Sequence, residues 1–288
     1  MSAEPTHFSF VQLDLPGRLG LDDGRYLLRG EDDEAETVVV VQTLGAAAPE
    51  RRAHRRRPQR ASPGDRPLEI PLTRLTVIPA QASDARAAEA EFRRVAGDAA
   101  AAEATVTAAL REANRMLHAH RVATGDPYDH EVAREAAIAT RVGYGTGAGL
   151  AEGRWEAAAE VPEPARRRRR AEALRPQERL AAVLAGRERI DACETLLLRA
   201  RADLDQDRAR EAALQLQVGL EALLAELPGR AGPEQEGDLA ALEQRRARTE
   251  QASREAARGE LPPARAEEVA ETLTICERVL RRRQILAG

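Results

Sequence analysis

The segment HAHRVATGDPYDHE, residues 118–131, concentrates the residue types that bind metal ions or act as general bases. It contains three histidines and three carboxylates: His118, His120, His130, Asp126, Asp129 and Glu131. On one helix, the side chains of residues 118 and 120 project about 200° apart, so they cannot bind the same ion. The apolar spacing makes His120 a hydrogen-bonded core residue, and the aspartates are explained as helix caps. We therefore predict neither a metal site nor a catalytic residue here.

Four glycines alternate in RVGYGTGAGLAEGRW, residues 141–155, between a strand-like run and a tryptophan. They are Gly143, Gly145, Gly147 and Gly149. A phosphate loop of the G-x-x-x-x-G-K-[ST] type needs a lysine, and the chain has none. A dinucleotide fingerprint needs a long helix after the glycines, but AGLAEG leaves room for barely one turn before Gly153. The spacing predicts a turn that leaves the edge of a sheet, with no cofactor-binding residue.

Other residue types that carry chemistry are scattered along the chain. Cys193 and Cys276 lie far apart, with no C-x-x-C spacing and no histidine close in sequence, which argues against zinc and against a disulfide framework. No serine occupies a G-x-S-x-G motif, and no pair of carboxylates is set apart from its neighbours. These observations favour a protein that is not an enzyme and that needs no cofactor.

All 44 basic residues are arginine, a bias that a GC-rich genome explains. Two segments each have a net charge of +5 although the whole chain has −4: residues 46–67, which include RRAHRRRPQR (Arg51–Arg60), and RRRRR (Arg166–Arg170). Each run can neutralise several phosphates, but neither has interleaved aromatic residues for base stacking. Nucleic acid is therefore one candidate partner of these runs. The other interpretation is a pair of solvated tethers that fold against the acidic body.

The elements that position these residues are strands in the first part of the chain. Apolar and β-branched runs predict strands at 8–15, 25–29, 37–44 and 72–79. Residues 46–67 combine alanine, proline and like charge, which predicts a disordered linker inside one domain. From Ile138 the apolar period returns to two, which predicts a further strand, and Trp155 with AAAEV suggests a short edge strand.

Helices are predicted between these strands and throughout the last part of the chain. Ser83 or Asp84 can cap a first helix that runs to about Val95 and is ended by Gly97, and Asp98 can cap a second, from about 99 to 124, that Gly125 closes. Asp126-Pro127 begins a third that runs to about Ala137. Later helices are expected to begin near residues 176, 187, 208, 235 and 264. Their apolar spacing of threes and fours, for example Ile190, Cys193 and Leu197, is typical of helical bundles and short coiled coils.

Three segments of the sequence show a family resemblance: HAHRVATGDPY, RVGYGTG…GRW and RPQERLAAVLAGRE. In these the chain resembles an uncharacterised family of hypothetical proteins from high-GC actinobacteria. The resemblance covers most of the length outside the linker. It implies a bacterial, cytoplasmic context and assigns no activity and no functional residue, because the family has no assigned activity.

These patterns together predict an α+β protein, mostly α, in which a small N-terminal mixed sheet with helices precedes a C-terminal α-helical bundle. The predicted parts are the N-terminal strands 1–45, the basic linker 46–67, the remainder of the α+β unit 68–162, a Pro/Arg linker 163–170 and the bundle 171–288. MSAEPTHFSF has no secretory pattern, and no apolar run is long enough to span a bilayer. We therefore expect a cytoplasmic location and no membrane partner.

The predicted function is non-catalytic: a protein–protein interaction or adaptor module carried by the helical part, with a protein partner. Two alternatives belong to other classes. One is a nucleic-acid-associated protein that uses its arginine runs. The other is an enzyme or small-ligand sensor in the α+β unit, built around His118, Tyr144 and the glycine turn.

Overall fold

The computed structural model describes residues 6–30, 32–45, 71–128, 130–163, 170–226, 236–259 and 261–286. The chain divides into an N-terminal unit, residues 1–166, and a C-terminal unit, residues 167–288. The fold class is α+β, as predicted, and helices account for more of the described residues than strands do. The predicted linker at 46–67 lies outside the described residues, and so does nearly all of the one at 163–170.

The N-terminal unit contains a six-stranded sheet in the order β2-β3-β4-β1-β5-β6. Its strands are β1 (His7–Pro16), β2 (Gly24–Arg29), β3 (Ala35–Leu44), β4 (Leu72–Pro79), β5 (Ala139–Thr146) and β6 (Ala157–Glu160). Every neighbouring pair is antiparallel, so the predicted mixed sheet is wrong. The reason is topological: β4 and β5 run in the same direction, but β1 lies between them and is antiparallel to both.

The two faces of the sheet differ in what they carry. Val11, Leu13 and Leu15 of β1 belong to the apolar core that the helices of this unit also enter. The residues between them, including Gln12 and Asp14, project from the opposite side, which we call the second face. Alternation in β1 therefore separates an apolar, helix-covered face from a face with polar residues.

Two helices, α1 (Ala85–Gly97) and α2 (Ala99–Thr124), begin and end at the residues that the sequence marks. The carboxylate of Asp84 accepts from the N–H of Ala87, and that of Asp98 accepts from the N–H of Ala100. Gly125 terminates α2 in the left-handed conformation, with φ of 67°. Side-chain caps satisfy backbone groups that the first helical turn leaves unpaired, so these boundaries were predictable.

The helix predicted over 126–137 is wrong. The described residues there are irregular apart from one 3-10 turn, Arg134–Ala136. Asn114 of α2 accepts from the N–H of Val132 at 2.8 Å and donates to its carbonyl oxygen at 3.0 Å. Arg134 donates to the hydroxyl of Thr140 and to the carbonyl of Val161. These tertiary hydrogen bonds replace those that a helix would make.

The C-terminal unit contains α3 (Arg170–Leu184), α4 (Ala192–Asp205), α5 (Ala209–Glu226), α6 (Glu236–Ala257) and α7 (Pro263–Leu286). Helices α4 to α7 contribute to one apolar core, in which Leu197, Leu216, Leu242 and Leu273 are buried. In the described residues, no helix is both long enough and apolar enough to cross a bilayer.

Two predicted helix starts in this unit differ from the structure. Pro176 lies inside α3 and does not begin it, since the good helix formers before it extend the helix to Arg170. The helix expected from 187 begins at Ala192, because the Glu194 carboxylate accepts from the N–H of Asp191 and fixes the first turn there. Ile190 therefore precedes α4 and is 63% exposed, against the prediction that it lies on the apolar face.

Candidate functional site

The histidines of segment 118–131 do not converge. His118 lies 3.0 Å from a guanidinium nitrogen of Arg121 and 3.8 Å from the carboxylate of Glu131. His130 is exposed, and His120 is partly buried, so its predicted place in the core is wrong. The buried stripe of α2 ends at Leu117, which leaves the last turns of the helix outside the core. Among the described residues, no three His, Cys, Asp or Glu side chains are grouped to hold a metal ion.

Tyr144, the second residue of the enzyme alternative, has different neighbours from His118. Its ring lies 5.7 Å from that of Phe92 and 6.2 Å from that of His7, measured between centroids. His118 instead interacts with residues of α2 and of the loop after it. The contacts that each residue makes thus place them in separate side-chain clusters.

His7 is a buried residue that sequence reasoning missed. It is 4% exposed, and its Nε2 lies 2.8 Å from the carboxylate of Glu156. Its backbone N–H and C=O pair with those of Ser83 at 3.0 Å each. No local pattern could have indicated this pair, because Glu156 is 149 residues away in sequence.

The alternating glycines lie in two environments, and neither is a phosphate loop. Gly143 lies inside β5, as the predicted strand from Ile138 requires, but Gly145 is inside it too, so the predicted turn is wrong for Gly145. The turn begins at Gly147, where φ is 56°. A Cβ on Gly143 would lie 2.6 Å from the ring of Phe10, its partner across the β1–β5 pair. Phe10 stacks on Trp155 with centroids 5.3 Å apart, so a packed aromatic pair requires this glycine.

An ion-pair cluster occupies the second face of the sheet. Arg74 donates to both carboxylate oxygens of Asp14, at 2.7 and 3.0 Å, and Arg141 donates to one of them at 2.9 Å. The Asp14 side chain is 8% exposed. Burial alone would raise the pKa of Asp14, but the hydrogen bonds and charges of the two guanidinium groups outweigh it and lower the pKa. The cluster joins β1, β4 and β5 and has a structural role.

Both cysteines are free and fully buried in the core of the C-terminal unit. Burial, with a smaller contribution from Glu226, raises the pKa of Cys193 to about 12, and burial raises that of Cys276 to about 12.

We expect thiol reagents at mildly alkaline pH to modify the native chain at least about a thousandfold more slowly than the unfolded chain, because the thiolate is the reactive species. Mass spectrometry after alkylation, with and without denaturant, measures this. A native cysteine that reacts as fast as the denatured one would contradict it.

A groove of about 300 Å³ lies between β2 and α2 in the N-terminal unit. From the strand side it is lined by Leu21, Tyr26, Leu27 and Leu28. From the helix side it is lined by Arg115, Met116, Ala119, His120 and Ala123. His120, singled out by the sequence as a core residue, thus lies in a mainly apolar surface groove.

The strand that borders this groove is at the edge of the sheet. In the described part of the chain, β2 pairs with β3 alone. An edge strand presents a row of backbone N–H and C=O groups that a further strand can pair with. Tyr26 and Leu27, which project to opposite sides of the strand, both line the groove, so it reaches the strand's outer edge. The site therefore combines an apolar groove with an unextended sheet edge, at one end of which Arg115 donates to the carbonyl oxygen of Arg29.

Comparison of the chain with protein-family models, with curated protein sequences and with solved structures found no match. Function is therefore inferred from the geometry of the groove and of the side chains around it. The arginine runs that suggested nucleic acid, 51–60 and 166–170, lie outside the described residues apart from the last one.

Proposed function

We propose that this chain is a non-catalytic protein-interaction module, and that its binding site is the groove between β2 and α2. The observation that carries the proposal is the combination of an apolar groove with a sheet edge along one wall. An extended peptide that adds to such an edge gains main-chain hydrogen bonds, while alternate side chains enter the groove. Folded proteins that bind peptides in this way need no catalytic group.

The C-terminal unit extends this proposal to an adaptor role. In our proposal, helices α4 to α7 form a bundle that carries a second interaction surface. Leu184, Leu198 and Val218 are large apolar side chains that are more than half exposed in this unit. Exposed apolar residues of this size are available to a partner helix. The free, buried cysteines are compatible with a reducing cytoplasm.

A peptide-library selection on the full chain tests the proposed site. Ala119 lines the groove from α2 and is exposed, so Ala119→Gln places a polar side chain in the groove without disturbing the core. We expect peptides selected on the wild-type chain to bind Ala119→Gln about tenfold more weakly or worse, as measured by isothermal titration calorimetry.

The matched control is Ala108→Gln, the same substitution at an exposed position of the same helix outside the groove lining. Glutamine and alanine are both good helix formers, so both variants should keep the stability of the wild type. Selected peptides that bind the Ala119→Gln chain as tightly as the Ala108→Gln chain would contradict the proposed site, and so would a selection that enriches no peptide.

A further inference from the structure

We infer that the partner at this groove is an extended acidic segment, in which an apolar residue is flanked at the second position on either side by Asp or Glu. The inference rests on the proposed function and adds the chemistry of the partner. It comes from the order of side chains along β2, whose sequence from Arg25 to Arg29 is RYLLR.

The outward side chains of β2 alternate in charge and polarity. Arg25, Leu27 and Arg29 are exposed, while Leu28 between them is buried. The register shift beside Arg29 places the extra residue in β3, so the alternation along β2 is unbroken. A strand added to this edge meets a cation, an apolar side chain and a second cation at alternate positions. Cross-strand neighbours of opposite charge stabilise a pair, so Asp or Glu is favoured opposite each arginine.

Both arginines are about half exposed and already have partners, and Arg29 also donates to the backbone carbonyl of Asp33 at 2.5 Å. The Arg25 side chain is 53% exposed and lies 3.4 Å from Glu152, and the Arg29 side chain is 51% exposed and lies 3.6 Å from Asp33. Exposed ion pairs of this kind contribute little to stability, so a peptide carboxylate can replace the internal one at small cost. Asp23, the acidic residue closest before the strand, already accepts from the N–H and hydroxyl of Thr43.

The groove side determines the residues between the acidic ones. Tyr26, Leu28 and Met116 offer apolar surface there, so the intervening positions of the partner are apolar. The charged or titratable side chains in the groove lining are Tyr26, Arg115 and His120, none of them a carboxylate. Arg115 is already paired with Glu36 at 3.0 Å and Glu112 at 3.3 Å, so the groove side adds little net charge of its own. The side of the added strand that meets Arg25 and Arg29 thus favours acidic residues, and the groove side favours apolar ones.

A second copy of the chain fits this edge poorly. Antiparallel pairing of two β2 strands centred on Leu27 would place Arg25 of each copy opposite Arg29 of the other. Like charges directly opposite each other destabilise a strand pair. The same residues that favour an acidic peptide therefore disfavour edge-to-edge self-association.

Titration of the full chain with synthetic peptides tests the inference. The probes are capped peptides with the core Glu-Val-Leu-Val-Glu, Thr-Val-Leu-Val-Thr or Lys-Val-Leu-Val-Lys, each flanked by glycine and serine. We expect the acidic peptide to bind at least about tenfold more tightly than the basic one at low salt, and the difference to shrink as salt is added. The neutral peptide should lie between them.

Charge reversal at two positions of β2 is the second part of the test. The double variant Arg25→Glu with Arg29→Glu should invert the order, so that the lysine peptide binds most tightly. Its matched control, Arg86→Glu with Arg93→Glu, changes the net charge equally at two exposed positions of α1 outside the groove lining and should keep the wild-type order. Circular dichroism of all variants establishes that they are folded.

The outcomes separate this inference from the proposed function. Equal affinity for the three peptides, with loss of binding in Ala119→Gln, would retain the groove as a peptide site and overturn the acidic partner. If both double variants still bind the acidic peptide most tightly, the inference is overturned too, because Arg25 and Arg29 would not determine the selectivity. Binding of no peptide, together with dimerisation through β2, would overturn both proposals.

Discussion

Gly143→Ala should destabilise the N-terminal unit by about 3 kcal/mol, near the upper end of what overpacking a core normally costs. The new Cβ would contact the carbonyl oxygen of Ala157 in β6 and lie 2.6 Å from the ring of Phe10. Neither neighbour moves easily: the first is backbone, and Phe10 is 2% exposed and stacked on Trp155. Chemical denaturation followed by the fluorescence of Trp155, the chain's one tryptophan, measures the change.

Gly97→Ala is the matched control in the same unit. Gly97 is the last residue of α1. A Cβ added there would have no heavy atom within 4 Å apart from its chain neighbours and the nearby backbone of its own helix. We expect this variant to be as stable as the wild type or slightly more stable, because alanine reduces the entropy of the unfolded chain. If Gly143→Ala unfolds at the same denaturant concentration as Gly97→Ala, the packing account of the alternating glycines is wrong.

Asp14→Asn should cost about 3 kcal/mol at neutral pH, because it leaves two guanidinium groups on the second face without their shared carboxylate. The folded-state pKa of Asp14 is lowered, so the unfolded chain binds this proton more readily. The stabilisation is therefore complete above the unfolded-state pKa of about 3.9 and is lost as the pH falls through the lower folded-state value. Denaturation midpoints of wild type and variant should converge in strong acid.

The same substitution at Asp32, an exposed position in the β2–β3 hairpin, is the control and should have little effect at any pH. A constant gap between wild type and Asp14→Asn from neutral pH into strong acid would show that lost packing, not lost charge pairing, is responsible. A variant as stable as the wild type at neutral pH would contradict the structural role of the cluster.

The sequence predicted those elements whose signals are local. Alternation placed β1 and β4 to within a residue or so, and Asp98 and Gly125 fixed the ends of α2 because capping acts within one helical turn. The stretch 126–137 carries equally good local signals, yet Asn114, 18 residues before Val132, binds its backbone instead. Helix propensity is a property of the local sequence, so it cannot predict that a tertiary hydrogen bond will replace the helical ones.

The candidate site was less predictable than the fold. The groove joins residues 21–28 to residues 115–123, and no spacing rule connects segments so far apart in the chain. His120 was identified from its residue type but given the wrong environment, because the buried stripe of α2 ends at Leu117 and helical spacing alone does not show where a helix leaves the core. The sequence RYLLR was predicted to be a strand, but only the strand order shows that this strand lies at the edge of the sheet.

Amide hydrogen exchange of the full chain, with and without a library-selected peptide, tests the proposed binding site most directly. An added strand hydrogen-bonds alternate N–H groups of β2, so these amides should exchange more slowly in the complex while the outer amides of β6, at the opposite edge, keep their rates. Protection at the edge of β2 is the result we predict. Protection that spares β2 and appears elsewhere would contradict the site.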